Sequence, residues 1–256
     1  MKAGDHALGE RIAEGMVEAW RDRVRHVEGH VIDEVDGIVV CLSNLPAPDQ
    51  QAALVERKPL DAMHALADVE QIFRVNGQSL GMFVQRGRHE SVDRALREYG
   101  LTIIVTEPAM AIRTADVSTA VVPAGVEIVP VTDAELLGRL VDVEVRSFGS
   151  EPIVAKRMLG PGQLELPAVR FYAALLDGRP VAQAYTHTVN GATSAWGVAT
   201  VPELRGRGIG TAITAFAIRD APNADLAWLM STREGRSMYE RMGFRLASDW
   251  DVWARA

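Results

Sequence analysis

The sequence predicts a mixed α/β (α+β) protein: a mostly antiparallel sheet flanked by helices, preceded by an α/β N-terminal domain. Three observations predict it. The run from Val169 to Val201 breaks at Asp177-Gly178 and Asn190-Gly191, dipeptides suited to two-residue hairpin turns, so it reads as three antiparallel strands. The stretch VPELRGRGIGTAITAF, Val201–Phe216, then places Gly206, Gly208 and Gly210 at the opening of a helix. After it, ADLAWLM reads as a strand, GRSMYERM as a helix and FRLASDWDVWAR as one or two closing strands.

The earlier elements follow from periodicity and punctuation. Leu8, Ile12, Met16, Trp20 and Val24 recur every four residues, which predicts an amphipathic helix over Ala7–His26. GIVVCLSNLP is strand-like from Gly37 and stops at Pro46. Asp49–Phe73 reads as helix-rich, split by Pro59. SLGMFVQRG is a strand, HESVDRALREYG a short helix with Gly100 at its C-terminal cap, and LTIIVTEPAMAIR one or two strands. The small and polar run Thr114–Gly125 is the candidate boundary, giving domains 1–118 and 119–256. VEIVPVT then reads as a strand, and a helix opens at Thr132 or Asp133.

Composition narrows the function classes. A 256-residue chain with 48% hydrophobic and 24% charged residues is long enough for one large or two ordinary domains. Its net charge of −7 argues against a nucleic-acid partner, which selects a basic excess. Cys41, the only cysteine, excludes a disulfide framework and a cysteine metal cluster, and its apolar setting reads as a small buried side chain. With no apolar run near the ~20 residues a bilayer requires, and no leader pattern in the opening residues, the expectation is a cytoplasmic protein without a membrane partner.

Glycines between a strand and a helix commonly hold phosphate, because the first helical amides are unsatisfied and the dipole favours an anion. A P-loop needs Gly-Lys-Ser/Thr after the glycines, and none is present. A dinucleotide fingerprint needs G-x-G-x-x-G and further βαβ units, whereas the spacing here is G-x-G-x-G. Two readings remain: Arg-x-x-Gly-x-Gly, fitted by Arg205, Gly208 and Gly210, and a glycine-rich turn without a ligand.

The segment GVATVPELRGRGIGTAITAFAIRD, followed one helix and one strand later by LMSTREGRSMYERMGFR, resembles the GNAT superfamily of acyl-CoA-dependent N-acetyltransferases over about Val126–Ala256. The resemblance implies a cleft between two splayed parallel strands. Val198, Ala199 and Thr200 would meet the pantetheine arm of acetyl-CoA, and the amides of Arg205, Gly206, Arg207, Gly208, Ile209 and Gly210 its pyrophosphate, with Thr211 on the first helical turn. Arg205 and Arg207 add charge, although Arg207 reads equally as a solvated surface group, and Thr211 as a plain helix residue. Tyr239 falls where the family places a general acid, the alternative being a core tyrosine beside Gly243-Phe244. Thr232 stands where many members carry asparagine, and Gly235 where alanine is common.

For the base, Glu144, His187 and Glu203 are candidates, Glu144 first, with a water chain as the alternative; Trp196 and Phe148 line an acceptor pocket or belong to the core. The implied function is transfer of an acetyl group from acetyl-CoA to a primary amine by direct attack, without a metal. The acceptor is a small-molecule amine or a peptide. The alternative is a catalytically inactive acyl-CoA-binding regulatory or interaction module. Residues 1–118 read either as a degenerate copy of the same fold, with the Tyr99-Gly100-Leu101 turn resembling Gly243-Phe244, or as an unrelated accessory or dimerisation domain that would make a homodimer.

Overall fold

The computed structural model describes residues 3–255, and these form two compact units. One comprises the chain up to Ala109 together with the segment from Leu246 onward; the other is Met110–Arg245. The chain therefore changes unit twice, where the sequence predicted one boundary near residue 118.

In the first unit, helix α1 (Ala3–Arg25) precedes a hairpin of β1 (Val31–Val35) and β2 (Ile38–Leu42). Asp36 and Gly37 turn it with φ of 45° and 83°, the left-handed pair that a two-residue hairpin requires. Then come β3 (Gln51–Val55), α2 (Ala62–Val75), β4 (Gly81–Gln85), α3 (Glu90–Glu98) and β5 (Thr102–Arg113), whose residues from Met110 belong to the second unit. The last strand, β11 (Arg245–Ala254), pairs antiparallel with β4, from Trp250 opposite Gln85 to Ala254 opposite Gly81. The strand order is β1-β2-β3-β4-β11-β5.

The helix expected over Asp49–Phe73 is half strand. Only α2 is helical, whereas Gln51–Val55 pairs antiparallel with β2 and, through Ala53 and Leu54, parallel with β4. Ala52, Ala53 and Leu54 are fully buried there, so sheet pairing overrides a helix-compatible local sequence. The core joins Ile38, Val40 and Leu42 to Leu66, Val69 and Phe73 of α2, Leu96 of α3 and Trp253 of β11. Cys41 is buried, and burial pushes its thiol up to about 12, so it stays a protonated packing group.

In the second unit, β6 (Val126–Val131), α4 (Ala134–Phe148) and α5 (Pro152–Met158) precede the meander β7 (Val169–Leu176), β8 (Arg179–Val189) and β9 (Ala192–Thr200). Helix α6 (Ile209–Asp220), β10 (Leu226–Met230) and α7 (Arg236–Arg241) follow. Both hairpins turn at the expected dipeptides, with positive φ at Asp177, Gly178, Asn190 and Gly191. Asp133 caps α4 by accepting a hydrogen bond from the Leu136 amide at 2.8 Å. From the end of β5 the strand order is β10-β9-β8-β7-β6, all antiparallel from β9 to β6, with β10 parallel to β9. Helix α6 packs Ile209, Ile213 and Ala217 on Ala182, Ala184 and Ala199 of the meander. No helix among the described residues is long and apolar enough to cross a membrane.

Trp253 contributes a fully buried ring to the first core, roofed by the Arg97 guanidinium 5.1 Å from the ring centroid. Trp253→Ala is expected to lower unfolding stability by about 3–5 kcal/mol, measured by urea denaturation. A loss below about 1 kcal/mol would show that β11 does not hold that core.

Candidate active site

The site begins where two parallel strands separate. β9 and β10 pair only at Ala192/Leu226, Thr193/Ala227 and Ser194/Trp228, yet β9 runs on to Thr200 and β10 to Met230. Trp196 lies at the fork, its ring edge-on to Trp228 at 5.7 Å and its Nε1 donating to Ser194 Oγ at 2.7 Å.

Gly197 lies just beyond. The β8–β9 register shifts there, with Gln183 opposite Ala199 but Tyr185 opposite Trp196, so Gly197 and Val198 together face Ala184. Gly197 has φ of 56°, and a Cβ on it would stand 3.1 Å from Tyr185 Cε1. Conformation and space both demand glycine here. Sequence reasoning missed this bulge; an isolated glycine inside a strand was its signal.

Past β9, a short turn (Pro202–Leu204) leads to Arg205 and then Gly206 and Gly208, with φ of 75° and 84°. A Cβ at Gly206 or Gly208 would meet nothing within 4 Å, so their backbone conformation, not crowding by protein, selects glycine. Gly208 is the N-cap of α6 and offers no side chain to its first amides, those of Ile209, Gly210 and Thr211. Gly210 is helical, and a Cβ there would make ordinary contacts with Met238 Sδ at 3.5 Å and Thr200 Oγ1 at 3.6 Å.

The two arginines differ. Arg205 donates through Nε to the Thr200 carbonyl at 3.1 Å and through Nη2 to the Ser147 carbonyl at 3.0 Å, clamping the end of β9 to the last turn of α4. Arg207 is exposed and makes no hydrogen bond or ion pair among the described residues. Glu203 is exposed and pairs with Arg146. Its own backbone amide and Arg146 hold its carboxyl below the usual range, the wrong direction for a base.

Tyr239 is buried on α7, its ring 5.8 Å from Phe244, and its hydroxyl makes no hydrogen bond among the described residues. Burial pushes its phenol up to about 12, so the proton is held throughout the neutral range. Thr232 Oγ1 accepts from the Gly235 amide at 3.1 Å, ordering the approach to α7. A methyl at Gly235 would stand 3.2 Å from Tyr239 Cε2, so glycine gives this ring its room.

Of the base candidates, Glu144 is half-buried on α4, and its Oε2 accepts from Gln183 Nε2 at 2.5 Å. His187 is buried within β8, its carbonyl accepting from Ser194 Oγ at 3.1 Å. Phe148 is 51% exposed, outside the core. A cavity of about 180 Å³ lies between α6 and α7, lined by Thr211, Ala215, Met238 and Arg241 and bordered by Val117 and Ser118. Among the described residues, no group of three His, Cys, Asp or Glu is placed to hold a metal.

The first unit repeats the order strand, helix, parallel strand, helix, strand, from β3 to β5. The turns after α3 and α7 match closely: Leu101 N donates to Leu96 O at 2.9 Å and Phe244 N to Tyr239 O at 3.0 Å, with φ of 87° at Gly100 and 99° at Gly243. Leu96 thus takes the place of the tyrosine. Before α2, the amides of Leu60 and Asp61 donate to Asp36 Oδ2 at 2.7 and 3.1 Å, so a carboxylate of this unit already sits on them.

Residues 167–246 match the acetyltransferase (GNAT) domain family. A GCN5-related N-acetyltransferase from Kribbella flavida shares the fold with a TM-score of 0.77 at 22% identity, covering 96% of this chain and 95% of that one. A GCN5-related N-acetyltransferase from Sphaerobacter thermophilus aligns with a TM-score of 0.63 at 17% identity, over 90% and 82% of the two chains. A tandem GNAT protein from the clavulanic acid biosynthesis pathway aligns at 0.62 and 15%, over 86% and 78%. No curated protein matches the chain by sequence. The matched residues include β9 and β10, the two parallel strands between which the sheet of the second unit opens. The match to the acetyltransferase (GNAT) domain thus lies within the second unit, and the solved structures share the fold.

The glycine geometry separates two substitutions. Gly208→Ala forces a side chain into left-handed backbone and is expected to cost about 1–2 kcal/mol of stability. Gly210→Ala, in ordinary helical backbone, is expected to be neutral or stabilising by up to about 1 kcal/mol. Thermal unfolding of both variants checks the contrast, and equal losses would contradict it.

Proposed function

We propose that the second unit moves an acetyl group from acetyl-CoA to a primary amine of a small molecule or peptide, by direct attack of the amine on the thioester. The early end of the β9–β10 ladder carries this reading, since it leaves strand backbone beside an uncapped helix start. Val198, Ala199 and Thr200 would bond the pantetheine amides as an added strand does. The amides from Arg205 to Gly210 would receive the pyrophosphate, with Thr211 beside them and Arg207 as the mobile counter-charge. Arg205 would act chiefly by holding this loop in place, as its bonds to Thr200 and Ser147 support.

Acetyl-CoA supplies the activated acyl group. Tyr239, protonated and without a competing partner, would give its phenolic proton to the departing thiolate. The first unit would be a degenerate copy of the domain, with Asp36 on the amides where an anion would otherwise bind and Leu96 in place of the acid.

Isothermal titration with acetyl-CoA tests the donor half, and no detectable heat at millimolar ligand would refute it. For Tyr239→Phe the expected outcome is a turnover loss of about 10²–10⁴-fold, with acetyl-CoA affinity nearly retained; unchanged turnover removes Tyr239 from the acid role. An inactive acyl-CoA-binding module would instead bind acetyl-CoA yet release no CoA across a broad amine panel.

A further inference from the structure

Gln183 is 3% exposed on β8, and the mechanism above gives it no task. Its Nε2 donates to Glu144 Oε2 at 2.5 Å. A carboxylate accepts but does not donate, so this bond fixes the orientation of the amide, nitrogen toward Glu144 and oxygen away. That oxygen, Oε1, is buried and has no hydrogen-bond partner among the described residues. Leaving a buried acceptor bare costs about 1–3 kcal/mol, which a ligand that donates to it would recover.

The location supplies the use. Gln183 is the last residue in register before the bulge, opposite Ala199, and its Nε2 is 3.8 Å from where a Cβ on Gly197 would be. Gly197 lies three residues past the last rung of the β9–β10 ladder, at Ser194. Tyr185, stacked on Phe171 at 4.9 Å, forms an aromatic wall beside the same glycine. The Glu144 carboxylate, the Gln183 amide and an aromatic face therefore stand together on the α4 side of the fork.

We infer that Glu144 and Gln183 together form the seat of the acceptor's amino group. This rests on the acetyl transfer proposed above and specifies its acceptor site. A primary ammonium brings N–H donors and a positive charge; one N–H satisfies Gln183 Oε1 and another faces the Glu144 carboxylate. Glu144 takes one proton and leaves the neutral amine. The nitrogen lone pair then forms the C–N bond to the acetyl carbon as the C–S bond breaks, the sulfur leaves with that electron pair, and Tyr239 protonates it. The second proton shed by nitrogen leaves to solvent. A hydroxyl or thiol acceptor brings a single donor, which can serve only one of the two groups, and carries no charge for Glu144.

The test uses the full chain, with CoA release from acetyl-CoA measured against spermidine, kanamycin and a lysine-containing peptide as probe amines. Gln183→Leu is expected to raise the amine KM at least about 10-fold, while the acetyl-CoA Kd stays within about twofold. Glu144→Gln is expected to lower kcat by about 10²–10⁴-fold, again with acetyl-CoA binding kept. A role confined to bracing α4 on β8 would lower the melting temperature of Gln183→Leu and leave the amine KM unchanged, which overturns the inference. So does acetyl-CoA binding without CoA release for any probe amine, whereas absence of acetyl-CoA binding overturns the transfer reading itself. If Gln183→Leu does not fold, Glu144→Gln decides alone, and an unchanged kcat overturns the inference.

Discussion

The parallel ladder between β9 and β10 stops after three rungs, and the second unit is organised around the strand edge this exposes. Backbone amides and carbonyls do not tolerate burial without partners, so two parallel strands that part inside a sheet need something to hold them apart and something to pair with. The holding is visible. The edge-on Trp196 and Trp228 rings fill the fork, and the bulge at Gly197 turns β9 while keeping it on β8. Arg205 ties the end of β9 to α4 through two carbonyls. The pairing would fall, on the function proposed above, to an extended ligand with amides of its own, which is what a pantetheine arm offers.

The first unit shows the same plan without the opening. Its parallel pair, β3 and β4, also meets over a short ladder and leads into a helix, and its last helix ends on the same glycine turn. Yet the segment before α2 has no glycine run, and Asp36, held at the β1–β2 turn, presents its carboxylate to the amides that would receive an anion. An internal carboxylate is always at hand, so a dissolved phosphate would have to displace it and bury or expel its charge. The difference between the units is thus one of closure. One satisfies its helix start internally; the other leaves it open to solvent.

What could be read from the sequence was what local conformation dictates. Asp177-Gly178, Asn190-Gly191 and the glycines at 206 and 208 all require left-handed backbone, and all were recognisable from residue type alone. Asp36-Gly37 carries the same signal and marks a hairpin that the reading of the first segment passed over. What escaped depended on partners far along the chain. Gln51–Val55 is a strand because β2 and β4 flank it, and β11 joins the first unit through β4 rather than staying with its sequence neighbours. Gln183 reads as an ordinary polar residue of a meander until α4 brings Glu144 against it. Arg205 reads from the sequence as charge for a phosphate, and its two carbonyl bonds, which the sequence does not show, make it a brace as well.

That reassignment bears on how a chain of net charge −7 attracts a polyanionic donor. Neutral carbonyls leave the Arg205 guanidinium its positive charge, so Arg205 holds a fixed charge beside the loop and Arg207 adds a solvated one. To these charges the main chain would add the uncapped amides of α6 and the positive end of its dipole. Such donors are short in range and fixed in direction. They recognise an anion only when it fits the loop. Glycine at 206 and 208 follows from the same logic. A Cβ there would meet nothing within 4 Å, so glycine is selected by the left-handed backbone, which an L side chain strains.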